Sequence, residues 1–154
     1  MATDERGMLI PVIDDENAGF WEGTAAGELR VQRCMRCERL RFPPRPMCPW
    51  CHSCHRQFVT VSGNGVIWSF VVAHPPLLPA YAALAPYNVV VVTLDEDPAL
   101  RMVSNLVSRP GGPVNEVDPA TIRIGEHVRA VFDPPNGAGI AMLRWMREAP
   151  VTGS

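Results

Sequence analysis

Two Cys-x-x-Cys pairs, Cys34-Met35-Arg36-Cys37 and Cys48-Pro49-Trp50-Cys51, stand ten residues apart and restrict the possible folds more than any other feature of this chain. Such a pair lets two thiolates meet one ion from a tight turn, and two turns at the tips of neighbouring hairpins complete a tetrahedron of sulfur. Residues 34–51 are therefore expected to fold around one zinc ion held by Cys34, Cys37, Cys48 and Cys51. Four protein ligands leave no position for water or substrate, so the ion is expected to be structural and to contribute folding energy. An overlapping pair, Cys51-His52-Ser53-Cys54, keeps Cys54 and His52 as rival ligands, with His55 beside them. All five cysteines lie between positions 34 and 54. Clustered thiols in odd number fit metal binding in a reducing compartment better than disulfides, which tend to be spread along small secreted domains.

The same region is strongly basic. Between Arg30 and Arg56, seven arginines face only Glu38, which gives this segment a charge of +6 and leaves −8 for the rest of a chain whose net charge is −2. A basic module on an acidic one attracts phosphates locally without making the whole chain a general polyanion binder. All fourteen basic side chains are arginine, which excludes Schiff-base catalysis by a lysine and a P-loop lysine. No run approaches the ~18–20 apolar residues that cross a bilayer, and Asp4-Glu5-Arg6 does not open an export signal, so a cytoplasmic location is expected.

Asp14-Asp15-Glu16 ahead of Ala18, Phe20, Trp21 and Ala25, with Gly27 after them, predicts a helix over about 15–26. Alternation predicts short strands on either side of the first knuckle. Leu29 and Val31 would face inward against Arg30 and Gln32, and Leu40 and Phe42 against an exposed Arg39 and Arg41. Beyond the turn Gly63-Asn64-Gly65, further strands are predicted over 66–72, 88–94, 100–107, 127–132 and 140–145. Five or six such strands indicate a small antiparallel barrel. The long connection 73–87 is apolar for a loop and is expected to cover a binding surface or pack over the barrel. The chain thus divides into an arm and helix (1–27), a zinc ribbon (28–58), a barrel (59–149) and a tail (150–154).

A ribbon placed before a barrel resembles the zinc-ribbon/OB-fold family of acyl-CoA-associated proteins, long catalogued as a domain of unknown function. The likeness rests on Phe20-Trp21, Gly27-x-Leu29-x-x-Gln32-Arg33-Cys34-x-x-Cys37 and Arg41-Phe42-Pro43-Pro44-Arg45-x-x-Cys48-Pro49-x-Cys51. It continues through Val61-Ser62-Gly63-x-Gly65, Leu94-Asp95 and Ile124-Gly125, and covers roughly residues 15–133. It implies a mostly β fold: an N-terminal helix, a rubredoxin-like zinc ribbon and a small antiparallel OB-fold barrel. Where the family favours glycine after each knuckle, this chain has Glu38 and His52. Glycine there eases a positive φ, so the turn geometry is the point put in question.

The resemblance also implies a non-catalytic accessory subunit, inactive alone, that binds a thiolase-fold enzyme. The favoured partner is a lipid-transfer-protein-like retro-aldolase of steroid side-chain degradation, whose acyl-CoA site the subunit helps to form in a hetero-oligomer. CoA carries phosphates to which Arg33, Arg36, Arg41 or Arg45 can offer charge-assisted hydrogen bonds. Phe20 and Trp21, on adjacent flanks of the helix, are candidates for partner contact. A nucleic-acid-binding ribbon/OB module is the alternative, weakened by an acidic barrel with few aromatics. A free-standing enzyme would have to use His74 or Cys54, and no nucleophile or orienting acid stands near His74 in sequence.

Overall fold

The computed structural model describes residues 2–148; the expected tail at 150–154 lies outside the described residues. Its first helix, α1, spans Ala18–Ala25, three residues later than the predicted start. Asp14 explains the delay: its carboxylate accepts the backbone N–H groups of Glu16 and Asn17, both at 3.0 Å, and so closes a turn ahead of the helix. At the other end Gly27 adopts φ +75°. Its N–H donates to the Thr24 carbonyl and that of Glu28 to the Gly23 carbonyl, the paired bonds of a Schellman stop.

A three-stranded antiparallel sheet follows, in the order β2-β1-β3, from β1 (Arg30–Cys34), β2 (Leu40–Arg41) and β3 (Arg56–Thr60). Strand β3 pairs with β1 over its whole length, from Arg30 opposite Thr60 to Cys34 opposite Arg56. Helix α1 lies on this sheet at close range, with the Phe58 ring against Gly19 and Phe20 packed between Trp21 and Phe42 at centroid distances of 4.9 and 5.3 Å.

Two expectations of sidedness fail here. Gln32 and Arg41, assigned to the exposed face, are 0% and 4% exposed. They face each other across the β1–β2 ladder, on the side where the connection between the knuckles folds back and bonds to both through the Arg45 backbone. Two-residue alternation on so short a strand could not reveal that.

The remaining strands are β4 (Asn64–Ala73), β5 (Tyr87–Leu94), β6 (Arg101–Ser104), β7 (His127–Phe132) and β8 (Leu143–Arg147). They form one antiparallel sheet in the order β6-β5-β4-β7-β8. Long β4 serves both halves: it pairs with β5 throughout, shifts register between Ile67 and Ser69, and meets β7 at its start. A parallel bridge between Leu106 and Trp145 joins the two ends of the sheet. Buried Asn88 secures the closing segment, donating Nδ2 to the Leu106 carbonyl at 2.9 Å and accepting the Leu106 N–H at 2.7 Å. The interior holds Ile67, Val90, Val92, Leu94, Met102, Leu106, Val128 and Trp145, continuous with Phe20, Leu29 and Val31 below the ribbon. The apolar 74–86 connection carries a short helix, α2 (Pro79–Ala82), and its Tyr81 shares a cavity of about 250 Å³ with Met8 and Leu9 of the N-terminal arm.

Candidate metal centre

Each knuckle is built by the same backbone device. In the first, the Glu38 N–H donates to the Cys34 carbonyl at 2.9 Å and the Cys34 N–H to the Arg39 carbonyl at 3.0 Å. The second repeats it, with His52 N–H to Cys48 carbonyl and Cys48 N–H to Ser53 carbonyl, both at 2.9 Å. To turn back so tightly the chain enters the left-handed region immediately after each pair, at Glu38 (φ 61°) and His52 (φ 59°). These are the two positions where the resembled family favours glycine. The turn geometry is thus retained with side chains present, at a cost of ~1–2 kcal/mol per residue.

The turns bring the sulfurs of Cys34, Cys37, Cys48 and Cys51 within 4.8 Å of one another. Cys34 Sγ lies 3.5 Å from Cys51 Sγ and Cys37 Sγ 3.6 Å from Cys48 Sγ, and all four are free thiols. A tetrahedron with metal–sulfur bonds of ~2.3 Å has edges of ~3.8 Å, so this spacing suits one zinc ion. Electrostatics at the donors also suit a cation. The Cys37 backbone N–H, against the effect of burial and with help from the Arg36 N–H, holds the Cys34 thiol down to about 6. Cys48 is lowered as well: burial opposes ionisation, but the Cys51 and Trp50 amides outweigh it. At Cys51 the Ser53 amide favours the thiolate, yet burial and the neighbouring thiols push it up to about 11. Thiolates this close repel one another, and a bound divalent cation relieves that repulsion.

Both rival ligands fall outside the cluster. Cys54 is exposed, and His52 is exposed at the left-handed position.

The arginines proposed for anion contact do not form one surface. Arg36 and Arg45 are exposed; Arg33 is half-buried and gives Nη2 to Glu38 at 2.7 Å. Arg41 points inward: its Nε donates to Gln32 Oε1 at 2.8 Å and its Nη2 to the Arg45 carbonyl at 3.1 Å. Phe20 is likewise 7% exposed and committed to the core, while Trp21 keeps part of its surface. Sequence reasoning missed Arg39, whose guanidinium lies 5.2 Å from the ring centroid of exposed Trp50 between the knuckles. A groove of about 440 Å³ separates ribbon from barrel, lined by Arg33, Leu40, Val59, Val61 and Glu96. His74, the candidate base, is exposed in the 74–86 connection. No helix among the described residues is long and apolar enough to cross a membrane.

Comparison with known proteins matches residues 21–53 to the ChsH2 rubredoxin-like zinc ribbon domain and residues 58–133 to the ChsH2 C-terminal OB-fold domain. The 3-oxo-4,17-pregnadiene-20-carboxyl-CoA hydratase alpha subunit of Mycobacterium tuberculosis is 35% identical over 129 residues, covering 84% of this chain and 37% of the relative. A probable enoyl-CoA hydratase alpha subunit of Thermomonospora curvata is 41% identical over 97 residues, covering 63% of this chain and 29% of the relative. The chain thus spans about a third of the length of these curated relatives. Among solved structures, a chain of an Ltp2-ChsH2(DUF35) aldolase superposes with TM-score 0.74 at 33% identity, over 90% of this chain and 98% of that one. A DUF35 protein of unknown function from Sulfolobus solfataricus superposes at TM-score 0.55 with 12% identity over 87% of this chain and 86% of that one, and shares the fold.

Proposed function

Because the chain belongs to the ChsH2 (DUF35) family of zinc-ribbon and OB-fold proteins, we propose that it is a non-catalytic accessory subunit of a thiolase-fold acyl-CoA enzyme. Its partner in this reading is a lipid-transfer-protein-like retro-aldolase acting in steroid side-chain degradation, and the subunit helps to form the partner's acyl-CoA site. The observation that carries the reading is the superposition over 98% of the chain in the Ltp2-ChsH2(DUF35) aldolase at 33% identity.

Chemistry supports the division of labour. A retro-aldol step needs a base for the β-hydroxyl and donors for the developing enolate. Zinc held by Cys34, Cys37, Cys48 and Cys51 has its coordination filled by protein and would serve to order the ribbon. The subunit's share in this reading is binding: the exposure of Arg36 and Arg45 and the position of Arg33 beside the ribbon–barrel groove support contact with phosphates of CoA, and the partly exposed Trp21 supports contact with a partner. Within this reading 1–27, 28–58 and 59–149 act as arm, metal-ordered ribbon and barrel.

Co-expression with a thiolase-fold aldolase, followed by assay of the pair and of each chain alone on β-hydroxyacyl-CoA thioesters, tests the proposal. A stable pair should cleave the thioester and this chain alone should not. Turnover by the isolated chain would overturn the accessory role. Salt-sensitive binding to single-stranded DNA without capture of any acyl-CoA enzyme would transfer the ribbon's positive charge to the nucleic-acid reading.

A further inference from the structure

The connection between the knuckles has little means of holding itself. Its middle reads Phe42-Pro43-Pro44-Arg45-Pro46-Met47, so three of six residues lack a backbone N–H. Yet this connection sets where Cys48 arrives relative to Cys34. One peptide within it is gripped on both sides from the β1–β2 ladder: the Arg45 N–H donates to Gln32 Oε1 at 2.9 Å, and the Arg45 carbonyl accepts Arg41 Nη2 at 3.1 Å. The grip is itself locked, since Arg41 Nε donates to the same Gln32 Oε1 at 2.8 Å. Gln32 lies two residues before Cys34, and Arg45 three before Cys48.

Such a fork is costly unless it serves something. Arg41 is 4% exposed and, among the described residues, forms no ion pair with a carboxylate. Its Nη1 and Gln32 Nε2 are buried without acceptors. A buried cation is costly unless it is hydrogen-bonded, and the acceptors of Arg41 are two neutral oxygens, Gln32 Oε1 and the Arg45 carbonyl, both on the path between the knuckles.

We infer that Gln32 and Arg41 are positioning residues of the metal centre: they clamp the Arg45 peptide so that the second knuckle meets the first at ligating distance. The inference rests on reading the four cysteines as a zinc site and extends it inward. It also removes Arg41 from the residues free to meet CoA, since its guanidinium is spent inside the ribbon.

The test uses the full zinc-loaded chain, with transfer of zinc to an excess of a chromophoric chelator as the rate and the cobalt-substituted absorption spectrum as the signature of tetrathiolate geometry. Arg41→Met and Gln32→Leu should release zinc faster, by up to the ~10–100-fold that loss of supporting contacts around metal ligands typically takes from metal affinity. Gln32→Glu, which keeps an acceptor for both donors, should rescue retention; Arg41→Lys should not, because one ammonium cannot span both acceptors. Arg45→Ala should release zinc at the wild-type rate, since only the backbone of Arg45 is held by the clamp. Val90→Ala, buried in the barrel, supplies a control that lowers thermal stability elsewhere. If Arg41→Met and Gln32→Leu release zinc no faster than Val90→Ala, the clamp is refuted. Should either variant fail to fold, equal release from Gln32→Glu and Arg41→Lys refutes it instead. A wild-type chain that binds no zinc would overturn the underlying metal reading, a distinguishable outcome.

Discussion

Along the barrel strands the enclosed side chains are mostly apolar, Ile67, Val90, Val92, Leu94, Met102, Val128 and Trp145, with Asn88 and an Arg144 paired to Asp133 as the polar exceptions, whereas the ribbon encloses mostly polar or thiol groups, Gln32, Cys34, Arg41, Cys48 and Ser53, along with Val31. The barrel is held by apolar burial, worth ~25 cal/mol per Å² removed from water. The ribbon buries thiols, an amide and a guanidinium, none of which stabilises by leaving water. It therefore depends on the polar contacts that Gln32 and Arg41 do make and on the ion that its sulfurs surround. Yet the two share one apolar seam, since Phe20, Leu29 and Val31 join the barrel's core.

If that contrast is right, removing the metal should separate the regions more than any substitution. A structural zinc site is worth an apparent ~10–16 kcal/mol near neutral pH. Chelation, or Cys37→Ser, should accelerate amide exchange throughout residues 30–60 while the β5 amides of Asn88–Leu94 stay protected. Uniform protection after complete zinc removal would end the comparison. Acid should act in the same direction. All four thiols must lose protons to bind zinc, and Cys51, pushed up to about 11, must be driven furthest from its metal-free state. Zinc affinity should thus rise with pH across the neutral range and fall on acidification, as followed by chelator competition at stepped pH.

The converse substitution attacks the barrel. Trp145 is 0% exposed, and its backbone makes the contacts that close the sheet to Asn105 and Val107 at 2.9 and 2.8 Å. Trp145→Ala should cost ~3–5 kcal/mol by leaving a cavity. Zinc stoichiometry in the folded fraction should remain that of wild type. Loss of zinc in proportion to lost stability would show that the regions are one cooperative unit rather than two differently held ones.

Legibility in the sequence divides along the same line. Barrel strands such as β5 were readable because Val89-Val90-Val91-Val92-Thr93 is an unbroken β-branched run ended by the acidic turn Asp95-Glu96-Asp97-Pro98. The four cysteines were readable from spacing alone, because two tight turns dictate their own chemistry. Pattern failed for Gln32 and Arg41: hydrophobic alternation assumes that polar side chains seek water, whereas these two bond to each other and to the Arg45 peptide folded over them. The stacking of Arg39 on Trp50 was hidden for another reason, since it joins side chains from different knuckles that only the metal site brings together.

A smaller effect probes the seam between the regions. A Cβ at Gly19 would overlap the Phe58 ring. Alanine in a helix normally gains ~1 kcal/mol over glycine, but overpacking of this kind costs ~1–3 kcal/mol. The clash should win, so Gly19→Ala should lower the melting temperature, and the double variant with Phe58→Leu should recover part of the loss. A rise in stability for the single variant would mean that α1 is free to lift from the sheet.

The smallest effect lies in the turns themselves. Glu38 and His52 hold left-handed backbone at a cost of ~1–2 kcal/mol each, and glycine would relieve it while returning ~0.5–1 kcal/mol as unfolded-state entropy. Each substitution to glycine should therefore stabilise by about 1 kcal/mol or less, a rise of ~2–4 °C per kcal/mol in melting temperature at fixed zinc. His52→Gly should show the gain more clearly. Glu38→Gly also gives up the hydrogen-bonded pair with Arg33, an exposed contact worth ~0–1 kcal/mol. If His52→Gly instead lowered the melting temperature, its imidazole would have to make a stabilising contact that outweighs the strain, and the symmetry of the two knuckles would hold for the backbone alone.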